Sequence, residues 1–243
     1  MRRIVSLLVF ASSLALSAGS ATAQDMRAEE ARLVMTSAFL ADHPDLKWRK
    51  RGLEAYRAGR LGEAHDAFVT AARYADKPAQ AMLAEMYWEG EGIPRDRPRA
   101  YAWADLAAER AWPDLLGKRE YYWRQLSPQE RKRAIEVGQP LLREYGDDVA
   151  KPRIELILAQ ARRRITGSRV GHVGYLTIRM PANAADPMES GYDLDGAQVY
   201  ADRYYQPEDY YAWQEKTWRN RDEGRVDVGR IEQETTRTEP GTD

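Results

Sequence analysis

Two stretches of this 243-residue chain repeat each other, and that recurrence restricts the available folds more than any other feature. Tyr56 and Gly59 return as Tyr87 and Gly90, 31 residues on, and Ala64, Ala71 and Ala72 return as Ala100, Ala107 and Ala108, 36 residues on. The mismatch places an insertion in the second copy's connecting segment, Gly90 to Arg97. Each copy reads helix, Gly-containing turn, helix, Ala-Ala. A period of this size is that of one helical hairpin in a stacked array, where each unit buries its apolar face only against its neighbours.

The residues within the second copy agree. Leu83 and Tyr87 are spaced i,i+4 and share a helix face. Ala100, Trp103 and Ala107 form an apolar stripe on the following helix, and Ala107-Ala108 lets a further helix approach closely. Gly90 and Gly92 suit a tight path between antiparallel helices. Asp96, just before Pro98, suits a helix N-terminus, where its carboxylate can accept unpaired backbone N–H groups. A third pair follows: one helix over Trp112–Gln125, then Ser127-Pro128-Gln129-Glu130, a capping box opening a helix that ends near Gly146.

The segment LAEMYWEGEGIPRDRPRAYAWADLAAERA, from Leu83 to Ala111, resembles a Sel-one-like repeat, a branch of the tetratricopeptide-like helical hairpins. It departs from that pattern mildly, with Ala84 for Gly, Ile93 for Val, Arg99 for Lys and Ala111 for Gly. The first copy, Gly52 to Ala75, is degenerate: it lacks the long loop, and Phe68 stands nearest the Trp position. The resemblance covers residues 46 to 146 and implies a mostly α fold, a short α-solenoid of helical hairpins. It also implies a non-enzymatic scaffold or adaptor that binds a protein or peptide in its concave groove. The first helix of each hairpin lines that groove in such proteins, which makes Glu85 and Trp88 the expected ligand contacts. For Trp88, packing against the neighbouring helix is an equal alternative.

The chain opens with an address. Met1-Arg2-Arg3 is basic, Ile4 to Leu16 is apolar, and Ala21-Thr22-Ala23 precedes Gln24 as a small-residue cleavage site. This is the pattern of a secretory signal peptide, too short to anchor in a bilayer. The expected mature chain, from Gln24, has 220 residues and a net charge of −3, with 35 basic against 38 acidic residues. That balance speaks against nucleic acid as a partner. A periplasmic or secreted location follows, with a protein or peptide of the cell envelope as expected partner, peptidoglycan as a further candidate, and no transmembrane anchor in the mature chain. The absence of Cys excludes disulfides, thiolate metal sites and a Cys nucleophile.

The organisation read from the sequence is a signal peptide over 1–23, an N-terminal helix within 24–45, the solenoid with its capping helix over 46–148, a C-terminal extension over 149–221 and a disordered tail over 222–243. Val149–Ile165 reads as a helix, Val173–Met180 as a short strand and Pro207–Asn220 as a helix. From Lys151 to His172 six Lys/Arg stand against one acid, either an anion-binding strip or charge suited to a helix C-terminus. Asp186 to Trp218 is irregular, acidic and aromatic-rich. Its Tyr204, Tyr205, Tyr210, Tyr211, Trp213 and Trp218 either recognise a ligand or wrap the solenoid.

Catalytic and metal signatures are missing. His43, His65 and His172 lie far apart without metal-ligand spacing, and no nucleophile elbow or phosphate-binding loop stands in a proper context. Gly191 to Gly196 resembles a calcium loop, but Gly191 takes the place of the first carboxylate. The expectation is no catalytic residue, no metal and no cofactor. A glycan-binding envelope protein is the alternative, and a weak hydrolase of cell-wall material or β-lactams the more distant one. The secreted relatives associated with that activity are Cys-rich, and this chain has no Cys.

Overall fold

The computed structural model describes residues 28–166, 177–180 and 192–219. The signal segment, His172, Gly191 and the tail over 222–243 lie outside the described residues. In chain order the elements are α1 (28–33), α2 (Ser37–Asp42), α3 (Pro44–Arg57), α4 (Leu61–Ala72), α5 (Lys77–Glu89), α6 (Arg97–Ala107), a 3₁₀ turn (Ala108–Arg110), α7 (Pro113–Gln125), α8 (Pro128–Tyr145), α9 (Asp147–Thr166), β1 (Thr177–Met180), β2 (Tyr192–Asp195), α10 (Gly196–Val199), α11 (Asp202–Tyr205) and α12 (Pro207–Arg219).

The expected hairpins are α3–α4 and α5–α6, stacked through α4 on α5. Their starts follow the sequence signals. Asp76 and Asp96 cap α5 and α6 by accepting the Ala79 and Arg99 N–H groups at 2.8 and 3.0 Å. Ser127 and Glu130 complete both halves of the capping box on α8. The third pair differs from a repeat hairpin: α7 and α8 both lean on α6, α8 along much of its length. Small residues allow this, since Gly138 faces the Ala102 methyl across that contact.

The N-terminal helix expected within 24–45 is broken in two. Thr36 interrupts it, its hydroxyl donating to the Leu33 carbonyl at 2.7 Å and accepting the Phe39 N–H at 3.3 Å. A Thr side chain that bonds its own neighbourhood competes with the helix ladder and restarts it as a cap.

Two hydrophobic cores result. One runs through the hairpins around Phe68, Leu83, Met86, Trp88 and Trp103. The other joins both ends of the described chain: Leu33, Phe39 and Leu40 meet Ile154 and Leu158 of α9 and Val199, Tyr204, Tyr205 and Tyr210 of the extension. Of the expected strand Val173–Met180, Thr177–Met180 lies within the described residues and is a strand, and it pairs antiparallel with Tyr192–Asp195. That pairing corrects the calcium-loop resemblance. Asp193 sits in the strand register opposite Arg179, and Asp195 spends a carboxylate oxygen capping α10.

Because hairpin helices alternate direction, the turns between hairpins lie on one edge and the loops within hairpins on the other. The first edge gathers Asp45, Arg49, Asp76, Lys77 and Arg110, and α12 closes over it. Gln214 accepts from Arg110 and donates to Asp45, the Trp112 indole donates to Glu215, and Trp218 stacks on Trp112 at 5.5 Å. The second edge carries the long loop of the second repeat.

Candidate functional site

The loop edge is built by two glycines with left-handed backbone. Gly90 ends α5 at φ +78° and Gly92 follows at φ +73°. A Cβ on Gly92 would overlap the Leu61 side chain, so the loop lies directly on the first hairpin. Tyr56 hydrogen-bonds Glu91 across the same junction. That bond, with burial and the Glu91 charge behind it, pushes the Tyr56 phenol up to about 12. The loop then turns back through the Asp96 N–H, which donates to the Tyr87 carbonyl at 2.9 Å.

Three arginines spaced by two, Arg95, Arg97 and Arg99, leave this loop and the start of α6, and aromatic rings or carbonyls orient all three. Arg95 Nε donates to the Trp88 carbonyl at 2.8 Å. The Arg97 guanidinium sits 4.2 Å from the Trp88 ring centroid, and Trp88 in turn stacks on Tyr122 at 4.0 Å, 4° from parallel. Arg99 lies 5.4 Å from the Tyr87 ring, whose hydroxyl is 3.1 Å from His65 Nε2. Such stacking holds a guanidinium by its face and leaves its N–H edges free to bond. The Nε atoms of Arg97 and Arg99 are shielded from solvent and have no hydrogen-bond acceptor among the described residues.

An open cavity of about 550 Å³ lies between them, walled by Tyr87, Ile93, Pro94 and Pro98. Asp96 and Glu130 also reach it, but each is already engaged at a helix start. Glu130 is held below the usual carboxylate range first by its bonds to Ser127, then by the charges of Arg97 and Arg95.

The expected groove residues separate here. Trp88 is 5% exposed, sandwiched between Tyr122 and Arg97, so its indole is core rather than a presented contact. Glu85 stays at the surface, 44% exposed, paired with Lys118 of α7. Beside them Tyr121 is 53% exposed.

In the extension Tyr204, Tyr205 and Tyr210 are buried. Tyr204 donates to Glu30 at 2.8 Å, and Tyr210 donates to the fully buried Asp45. Tyr211 bonds Glu155 at 3.1 Å, Trp213 bonds Glu30 at 3.1 Å, and Trp218 lies against Trp112 and Arg49. These six side chains lie against the fold, where burial of apolar ring area stabilises them; the Tyr205 hydroxyl is buried without a hydrogen-bond partner among the described residues. Within the basic strip, Arg153 donates to the Glu144 carbonyl at 2.6 Å, and Arg162 and Arg164 pair with Asp202 and Asp42.

Residues that sequence reasoning missed form a buried ionic centre on the opposite edge. Lys77, fully buried, pairs with Glu109 and with Asp147 at 2.9 Å and donates to the Leu106 carbonyl at 2.9 Å. Arg110 grips Asp147 with two nitrogens at 2.9 and 3.1 Å. Burial alone would raise the Asp147 carboxyl, but the Arg110 bonds and the Arg110 and Lys77 charges hold it well below the usual range. His43, also fully buried, sets one ring nitrogen 2.8 Å from the Phe39 carbonyl and the other 3.0 Å from the Tyr204 carbonyl, pinning the two ends of the described chain together. No periodicity marks such residues. The R-D-R-P-R run, Arg95 to Arg99, is the sequence feature at the cavity, and taken alone it reads as solvated charge.

Against known proteins, the Sel1 repeat model matches residues 77–111, the α5–α6 hairpin with its loop and cavity. Residues 77–111 of this chain are a Sel1 repeat. The alginate biosynthesis protein AlgK of Azotobacter vinelandii is 36% identical over 89 residues, 35% of this chain. The chain spans only 19% of that relative's length. A solved structure of c5321, a protective antigen present in uropathogenic Escherichia coli strains displaying an SLR fold, is 23% identical with a TM-score of 0.40, covering 48% of this chain and 26% of that one. The matched Sel1 segment includes Arg95, Arg97 and Arg99 as well as the glycines that shape their loop.

Proposed function

We propose that this chain is an exported, non-enzymatic scaffold that holds a partner protein of the cell envelope on its repeat. The Sel1 repeat at 77–111 carries this reading, since repeats of this kind typically serve protein interaction. Several buried titratable groups hold the fold: Asp147 with Arg110, Asp45 with Tyr210, Asp76 at the α5 cap and His43 between two carbonyls. Among the described residues no group of His, Asp and Glu could hold a metal ion, and no helix is long and apolar enough to cross a membrane. Export rests on the basic, apolar and small-residue succession of Met1 to Ala23. The glycan reading loses part of its surface, because Tyr204, Tyr205 and Tyr210 are buried and the half-buried Trp213 and Trp218 lie against Tyr204 and Trp112.

The test is to cross-link the tagged full chain in cells of its own source, purify it, and measure the intact mass and what accompanies it. A chain trimmed near Ala23, in fixed proportion with one envelope protein that rebinds in purified form, is the expected result. An untrimmed chain refutes export, and recovery of the chain alone refutes the scaffold.

A further inference from the structure

We propose that the cavity beneath the repeat loop receives an acidic side chain of a partner protein, flanked there by apolar residues, with Arg97 and Arg99 gripping its carboxylate. This rests on the scaffold reading above and assigns the place and chemistry of its contact.

The donors come first. Arg97 and Arg99 present Nε atoms shielded from water and without an acceptor among the described residues. The Nε atoms are closed to a ligand as they are to water, so an arriving carboxylate meets the terminal nitrogens of these guanidinium groups. The nearest acid, Asp96, stands 3.6 Å from Arg99 Nε, beyond hydrogen-bond reach, and spends its other oxygen on the Arg99 N–H. Arg97 and Arg99 lie over the Trp88 and Tyr87 rings, a contact that uses no N–H group, and a guanidinium meets a carboxylate with two parallel bonds. Arg95, fixed on the Trp88 carbonyl, adds charge at the rim.

The size and balance of the site choose between acidic ligands. Three arginines against Asp96 and Glu130 leave one net positive charge, enough for one carboxylate. A polyanion with a charge on every unit would bring further carboxylates against Asp96 and Glu130. The walls of Ile93, Pro94, Pro98 and the Tyr87 ring suit the apolar neighbours of an Asp or Glu in a peptide. A volume of about 550 Å³ accommodates a few side chains.

The experiment is an NMR titration of the full chain, isotope-labelled, with acetyl-Leu-Glu-Leu-amide. Acetyl-Leu-Gln-Leu-amide, trigalacturonate and inorganic phosphate form the parallel arms. The expected result is saturable shifts at the amides of residues 93–99 with the Glu peptide, about tenfold weaker with the Gln peptide. Arg97→Gln combined with Arg99→Gln abolishes them. Because Arg97 also covers Trp88, Arg97→Lys serves as the second variant: it keeps charge and fold, and binding falls because the fork is lost. Equal shifts with both peptides overturn the carboxylate assignment. Preference for trigalacturonate overturns the peptide, phosphate alone on these amides means a small-anion site, and no shift at 93–99 overturns the site. Repeating the cellular cross-link with the double Arg variant separates the two readings. A partner retained there leaves the scaffold standing and removes this site, whereas no partner with either chain removes the scaffold itself.

Discussion

Replacing Lys77 with Met tests whether the buried ionic centre holds the repeat to the rest of the fold. Met keeps most of the apolar shaft in place, so little cavity opens and the loss is electrostatic. The change removes the bonds to the Leu106 carbonyl at 2.9 Å and Gln80 at 3.2 Å, and the pairings with Glu109 and Asp147. Removing one partner of a buried ion pair costs about 3–5 kcal/mol when the other charge is stranded. Here neither acid is stranded. Asp147 keeps Arg110 and also Lys151 at 3.0 Å, and Glu109 still accepts the Asp147 N–H at 3.1 Å. The Leu106 carbonyl and the Gln80 amide oxygen each lose a buried donor, a further ~1 kcal/mol apiece. A net loss of about 2–3 kcal/mol is expected, which for a domain of this size lowers Tm by about 5–10 °C. Urea unfolding followed by tryptophan fluorescence reads it, as a lower midpoint with unchanged slope. A double-mutant cycle with Asp147→Asn should give a coupling above about 0.5 kcal/mol. A Lys77→Met protein as stable as its parent would refute the reasoning, because it would mean that desolvation had cancelled the pairings.

Trp88→Ala should cost about 3–5 kcal/mol of stability, as for other core aromatics, whereas Glu85→Ala should cost under about 1 kcal/mol; equal effects in the same urea assay would contradict the buried stack on Tyr122. Gly92→Ala should lose about 2–4 kcal/mol through its positive φ and the collision with Leu61, and a neutral result would mean that the loop does not lie on the first hairpin. Burial raises the Asp76 carboxyl from 3.8 to about 6, with Arg49 opposing. The folded state then binds that proton more readily than the unfolded chain, so its stabilisation is present below pH 3.8 and fades as pH rises through about 6. Asp76→Asn keeps the acceptor for the Ala79 N–H, and its stability relative to the parent should therefore rise between pH 4 and 6; a flat difference across that range would refute the shift. Asp147 acts in the opposite sense, its contribution present above the ordinary carboxylate range and lost only in stronger acid.

The sequence by itself determined the elements whose causes are local. The Tyr–Gly and Ala-Ala recurrences, the Asp96 cap, the Ser127–Glu130 box and the Pro207 helix start are each specified within a few residues, by backbone groups that only a nearby side chain can satisfy. Tertiary structure alone decided everything that joins distant parts of the chain. Trp88 became core because Tyr122 and Arg97 meet it from either side, and the tyrosines of the extension turned inward because the N-terminal helices and α9 left an apolar face to cover. The bond from His43 to the Tyr204 carbonyl spans 161 residues, and that from Arg110 to Gln214 spans 104. Nor could the R-D-R-P-R run announce its cavity. A charge run reads as solvated until the fold withholds water from part of it, and only the packed loop sets these arginines around a cavity, with two guanidinium nitrogens shielded and without acceptors among the described residues.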